Sequence, residues 1–210
     1  MLSQHPDRQV HIIHSIPLGD HLIQFGLPAS EPAGFEVEID PITQNAAVYS
    51  PDRRYRYLLT RVWNPRGKTV LWVLLNPSTA SAFEDDPTIH RCIRRFSLDP
   101  RFRSKQFPGV GSLIICNAFG FRATAPADML NQVDPVGFLN DFFIQLATGY
   151  ASCTFAGWGN LGSHMGRDQE IRRILPGPVW CVGHTKSGQP RHPLYVASAQ
   201  KAVLHWDRPE

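Results

Sequence analysis

No apolar run in the 210 residues approaches the roughly 20 needed to cross a bilayer. The opening stretch, MLSQHPDRQVHIIHSIPLGD, lacks a basic start followed by an apolar segment, so no secretory signal is read and a cytoplasmic location is expected. Cysteine is scarce. The four, Cys92, Cys116, Cys153 and Cys181, form no C-x-x-C pair, which removes the zinc-ribbon signature. Cys116, Cys153 and Cys181 lie in apolar runs and read as small core residues, with disulfides not expected in a reducing compartment. There is no internal repeat and no low-complexity tract. A large charge of one sign is also missing. The balance of 21 basic against 18 acidic residues gives +3, which permits nucleic-acid binding without arguing for it.

What is present is an ordinary globular composition, 42% hydrophobic, in a length that suits one domain with a sizeable core. Residues 1–45 are rich in proline, glycine and acids and weakly periodic, and are expected to be an irregular leader. Residues 46–210 read as a single α/β domain. A hairpin is expected from strands at Tyr55–Trp63 and Thr69–Leu75 around the turn Asn64-Pro65-Arg66-Gly67. Strands at Gly111–Cys116, Ser152–Trp158 and Pro178–Gly183 then alternate with helices at Pro87–Phe96, Pro135–Thr148, His164–Leu175 and Pro193–Val203. Asp86 suits the N-cap of the first helix and Pro87 its first position. The strands are continuous apolar runs, as expected where helices cover both faces. The expectation is therefore a three-layer αβα sandwich around a mainly parallel sheet.

The strands end on polar or glycine-rich punctuation: Asn76-Pro77-Ser78-Thr79, Asn117-Ala118-Phe119-Gly120-Phe121-Arg122, Trp158-Gly159-Asn160, and Gly183 through Lys186 to Arg191-His192-Pro193. Ligands of open parallel sheets bind outside the carboxyl ends of the strands, so these loops are expected to share one crevice. Asn76 can orient a water or a polar ligand, or simply begin a turn. Ser78 and Thr79 lack a nucleophile elbow and read as ligand or phosphate contacts. Asp85 can face the crevice while Asp86 caps the helix; the pair alone is weak for metal, and no metal or cofactor is expected. The Asn117 amide offers a donor beside an acceptor, which suits a nucleobase edge. Phe119 or Phe121 can stack on a base, Trp158 can form a pocket floor, and Arg122 can meet a phosphate. His192, ahead of a helical turn, is expected to stay neutral and to donate a hydrogen bond. Arg91, Arg94 and Arg95, with Arg101, Arg103 and Lys105 beyond, form a basic cluster. With Lys186 and Arg191 it offers phosphate contacts, against the plainer reading of a solvated helix face.

LNPSTA with EDDPTIHRC, CNAFGFRATAP, WGNLG and GHTKSGQPRHPLY resemble, in that order, the bacterial and phage family DUF1643, over about Tyr55 to Tyr195. The order strand–Asn-Pro, strand–Asn with an Arg/Pro loop, and late His-Pro is more distantly similar to the uracil-DNA glycosylase superfamily. That resemblance implies a glycosylase-like fold. It places the water-positioning role on Asn76, with Asp85 in reach of the same water, base reading on Asn117, and stabilisation of the departing base on His192. Departures are Ser78 where glycine usually follows the proline, and a long loop before His192. The implied activity is cleavage of an N-glycosidic bond of a damaged or modified base, with DNA or a nucleotide as partner and no membrane. Two other classes compete: a non-catalytic nucleotide or nucleic-acid binding module, and a phosphoester hydrolase using Asp85 and Asp86 with a divalent metal. Oligomeric state is not readable from the sequence.

Overall fold

The computed structural model describes residues 11–28, 34–96, 107–197 and 200–207. Among the described residues, ten strands and four helices form a mixed α/β protein. The strands are β1 His11–Leu18, β2 His21–Pro28, β3 Glu36–Ile39, β4 Ala46–Tyr49, β5 Arg56–Val62, β6 Lys68–Leu74, β7 Val110–Asn117, β8 Cys153–Gly157, β9 Val179–Cys181 and β10 Val203–Trp206. The helices are α1 Pro87–Phe96, α2 Pro126–Leu130, α3 Asn140–Thr148 and α4 Arg167–Ile174. Eight strands make one sheet in the order β10-β9-β8-β6-β7-β5-β4-β3, and β1 with β2 forms a separate antiparallel hairpin.

Sequence periodicity dictates how this sheet is covered. Successive strand residues point to opposite faces. Leu71, Val73, Ile114, Cys116 and Ala156 meet Phe143, Ile144 and Ala147 of α3, Ile171 of α4, and Ile16, Ile23 and Phe25 of the hairpin. Val70, Trp72, Leu74, Leu113, Ile115 and Phe155 meet Ile89, Cys92 and Phe96 of α1 on the other face. The segment before Ala46, expected to be irregular, thus supplies a hairpin to one core, and its β3 pairs with β4 in the main sheet.

The sheet is mixed, not mainly parallel. Only the central strands β9, β8, β6 and β7 run parallel, while β3, β4, β5 and β10 join antiparallel. Parallel neighbours need a crossover long enough to hold a helix, and the short links joining β3, β4 and β5 do not provide one. Nor do β5 and β6 form the expected hairpin, because β7 lies between them. The Trp63 and Asn64 N–H groups both donate to Gly111 O at 3.0 Å, and Lys68 N–H donates to Gly109 O at 2.7 Å. A Cβ on Gly111 would collide with the Asn64 carbonyl and stand 2.7 Å from Gly67 Cα, so this insertion depends on glycine.

Helix α1 has the expected bounds. Helix α3 begins late, because Asp134 Oδ1 accepts from the Val136 and Gly137 N–H groups and holds a turn in which Gly137 has φ +84°. Helix α4 follows a 3-10 stretch, Asn160–Gly166, interrupted at Met165 with φ 56° and Gly166 with φ 74°. The expected last helix is one 3-10 turn, Pro193–Tyr195; Val203–Trp206 instead pairs with β9, where its β-branched and aromatic residues suit a sheet edge. Among the described residues, no helix is long and apolar enough to cross a membrane.

Candidate functional site

The loops after β6, β7, β8 and β9 meet at the carboxyl ends of the parallel strands around a crevice of about 710 Å³. Its walls include Asn76, Ser78, Thr79, Asp86, Thr88, Thr124, Trp158, Asn160, Lys186, Arg191, His192 and Tyr195.

Asn76 clamps two of these loops. Its Nδ2 donates to Ala123 O at 2.8 Å and to Pro77 O at 2.9 Å, while Ala123 N–H donates to Pro77 O at 2.9 Å. The amide nitrogen is therefore engaged, and Oδ1, which makes no hydrogen bond among the described residues, is the atom left to accept one from a ligand or water.

Trp158 is buried and donates from Nε1 to Gln189 Oε1 at 2.8 Å; Gln189 Nε2 in turn donates to Asp168 Oδ2 at 2.6 Å. Gly159 N–H to Pro190 O and Ser187 Oγ to Asn160 Oδ1 fasten the 183–191 loop to that floor, and Arg191 N–H to Gly183 O closes the loop on itself. The loop carries Lys186 and Arg191 to an exposed rim, with Arg191 Nε donating to His184 O at 2.9 Å.

His192 is mostly buried, and its Nδ1 is sealed from solvent with no hydrogen-bond partner among the described residues. Burial lowers its pKa from 6.5 to about 4, partly offset by the Asp86 charge, so the ring is neutral at pH 7 and has one N–H to give. The exposed Tyr195 ring stands 5.6 Å from it, tilted by 45°.

The acid on the crevice wall is Asp86. Its Oδ1 accepts from the Thr88 and Ile89 N–H groups at 2.9 Å, capping α1, while Oδ2 makes no hydrogen bond among the described residues. Asp85, the acid singled out by sequence, stands outside this lining. It accepts from Arg61 Nε at 2.6 Å and lies 4.0 Å from His90 Nδ1. Arg61, 4% exposed, also donates to the Thr60, Ser81 and Glu84 carbonyls, so this pair fastens the loop leading to α1.

Other candidates lie away from the crevice wall. Asn117 is 1% exposed; its carbonyl accepts from Asn140 Nδ2, and its own Nδ2 is buried without a partner. Phe119 is fully buried and packs near His164. Phe121 packs edge-on against Tyr55 beneath the Arg54 guanidinium. Arg122 donates to Arg53 O and lies over the Tyr49 ring. Arg91, Arg94 and Arg95 flank Pro193 and Val196, and Arg95 donates to Gln200 O, so part of the basic face holds the chain after His192. Arg101, Arg103 and Lys105 lie outside the described residues.

Wall residues given no part in the glycosylase reading by sequence include Asp86, Thr88, Thr124, Asn160 and Tyr195. The first four follow a strand end or open a helix, which was the available signal; Asp86 keeps the N-cap position read from the sequence and faces the crevice as well, while Asp85 turns to Arg61. Residues 56–194, two thirds of the chain, match a protein family described as "Protein of unknown function (DUF1643)". No curated protein and no solved structure matches the chain.

Proposed function

Given that the chain belongs to the DUF1643 family, we propose that its strand-end crevice takes a nucleobase and its sugar and hydrolyses the N-glycosidic bond between them. The observation carrying this reading is a neutral, mostly buried His192 on the same crevice as the free acceptor of Asn76. Cleavage passes through an oxocarbenium-like state in which the C1′–N bond breaks, water oxygen bonds to C1′, and the base departs with the electron pair. Such a step needs an acceptor that orients water on one side and a donor for the anionic base on the other.

Asn76 Oδ1 and Asp86 Oδ2 are the acceptors for the water, with Asp86 taking its proton. His192 donates to the base oxygen or nitrogen where charge collects; a neutral imidazole suits this because it donates a hydrogen bond to the developing charge without handing over a proton. Tyr195 offers an exposed aromatic face for stacking, Asn160 an amide for the base edge, and Lys186 with Arg191 a cationic rim for phosphate. Motif order in the sequence, with Asn76 after the first parallel strand and His192 in a late His-Pro, is the resemblance to uracil-DNA glycosylases from which this reading starts. In this assignment the acid beside the water is Asp86 and the base-stacking ring is Tyr195.

A binding module is the second reading. It is favoured by Asn117, which is buried and does not line the crevice, and by the engagement of the Asn76 amide nitrogen. One assay separates the two. The full chain is incubated with single- and double-stranded oligonucleotides and free nucleotides carrying uracil and modified bases, and free base is measured by mass spectrometry. Release that His192→Ala abolishes supports hydrolysis. Saturable binding without release leaves the crevice as a sensor.

A further inference from the structure

Behind the crevice floor, three side chains from separate segments converge. Cys181, fully buried, ends β9; His184 lies three residues on; His205 belongs to β10. Cys181 Sγ is 3.5 Å from His184 Nε2, which is 2.9 Å from His205 Nδ1, and the three atoms all lie within 4.8 Å of one another.

Two backbone irregularities build this convergence. Gly183 has φ +110°, a conformation that L side chains rarely adopt, and it turns the chain so that His184 folds back beside Cys181. In β10 the register with β9 shifts between Leu204 and Trp206, which leaves His205 as the bulged residue. Bulges re-aim side chains; the register sets His205 between the partners of Trp180 and Val179, and its imidazole reaches back along β9 to the thiol of Cys181. The His205 ring is then held against Trp206 at 4.8 Å and Trp158 at 6.0 Å.

Tetrahedral zinc with bonds of about 2.3 Å to sulfur and 2.05 Å to nitrogen separates S from N by about 3.6 Å and N from N by about 3.3 Å. Cys181 and His184 meet the first spacing, Cys181 and His205 lie within 4.8 Å, and the second spacing needs His184, on an exposed loop, to yield by a few tenths of an ångström. One thiolate and two imidazoles select borderline cations of the zinc class over magnesium or calcium. We infer that Cys181 Sγ, His184 Nε2 and His205 Nδ1 form a binding site for one zinc-class divalent cation, with a fourth position left to water. The ion ties the β10 edge and the start of the 183–191 loop together. That loop carries Lys186 and Arg191, so metal loading sets how firmly the cationic rim of the crevice is held.

The test uses the full chain, stripped with a chelator, dialysed and titrated with Co²⁺. One equivalent is expected to bind, with a thiolate-to-cobalt charge-transfer band and the intense visible bands of a four-coordinate ion, all erased by one equivalent of Zn²⁺. Cys181→Ser removes the charge-transfer band, and His184→Ala or His205→Ala weakens binding about tenfold or more. Zn²⁺ at about a hundredfold excess over Kd raises the melting temperature by about 5–10 °C, and the three variants lose that rise. Metal-free melting curves of the variants show that each folds; His184→Ala, on the exposed loop, decides the matter if another does not. Absence of stoichiometric binding overturns the inference, as does a charge-transfer band that survives Cys181→Ser, which would place the metal on another thiol.

Discussion

Replacing Asp86 separates two roles that one carboxylate holds. Its Oδ1 accepts from the N–H groups of Thr88 and Ile89, and α1 has no other acid in its first turn. Asp86→Ala removes both hydrogen bonds, and Ile89, 1% exposed, has little access to water in compensation. The cost of a lost cap is about 0.5–2 kcal/mol, here toward the upper end. For a chain of this size each kcal/mol moves the melting temperature by about 2–4 °C, so a fall of about 3–8 °C is expected. Asp86→Asn keeps an oxygen in place and caps equally well; it loses only the charge–dipole attraction, about 0.3–1 kcal/mol, or about 1–4 °C. Thermal unfolding followed by circular dichroism, at low and high salt, measures both. The gap between wild type and Asp86→Asn should close as salt rises, whereas the gap between the two variants should not. Equal destabilisation by the two substitutions, or an unchanged Asp86→Ala, refutes the capping argument. Once a substrate is known, Asp86→Asn should lose base release while melting close to wild type; full activity in that variant removes Asp86 from the chemistry.

Protonation of His192 gives a pH signature. Its pKa falls from 6.5 to about 4 on folding, so between those values the unfolded chain binds the extra proton. Stability from this group is complete above about pH 6.5 and is lost as pH falls toward 4. Denaturant titrations at stepped pH should show this slope, and His192→Gln should reduce it; an unchanged slope would mean the ring is not buried neutral. Arg61→Met strands Asp85 and frees three carbonyls, which should cost about 3–5 kcal/mol in denaturant unfolding and expose the 77–86 loop to early proteolysis. A loss below about 1 kcal/mol would show that this pair does not fasten the crevice wall.

Much of the architecture is local information. Continuous apolar runs such as VLWVLL and SLIIC specify buried strands, and Asp86-Pro87 starts a helix whose bounds need nothing from elsewhere. The punctuation after each run, Asn76-Pro77 and Arg191-His192-Pro193 among it, is likewise written in the chain and marks where strands stop. Edge choice is not local. Nothing within Arg56–Val62 says that β7 will slip between β5 and β6, because that depends on Gly67 and Gly111 letting two distant backbones touch. The run Val203–Trp206 becomes an edge strand because β9 offers it an unpaired side.

The site divides along the same line. That strand-end loops carry it follows from sequence and from the rule for parallel sheets. Which side chains face inward follows from how each loop leaves its strand. Adjacent residues point in different directions, so Asp86 lies on the crevice and Asp85 on Arg61, and Phe119, two positions past the end of β7, is folded into the core. The Cys181, His184 and His205 convergence is legible in sequence only as Cys-x-x-His; its third member arrives through a bulge in a strand whose partner only the tertiary fold selects. Sequence by itself determined the elements and their punctuation, because burial period and cap chemistry act within a few residues. Tertiary structure decided partners and orientations, because those depend on surfaces that exist only after the sheet has assembled.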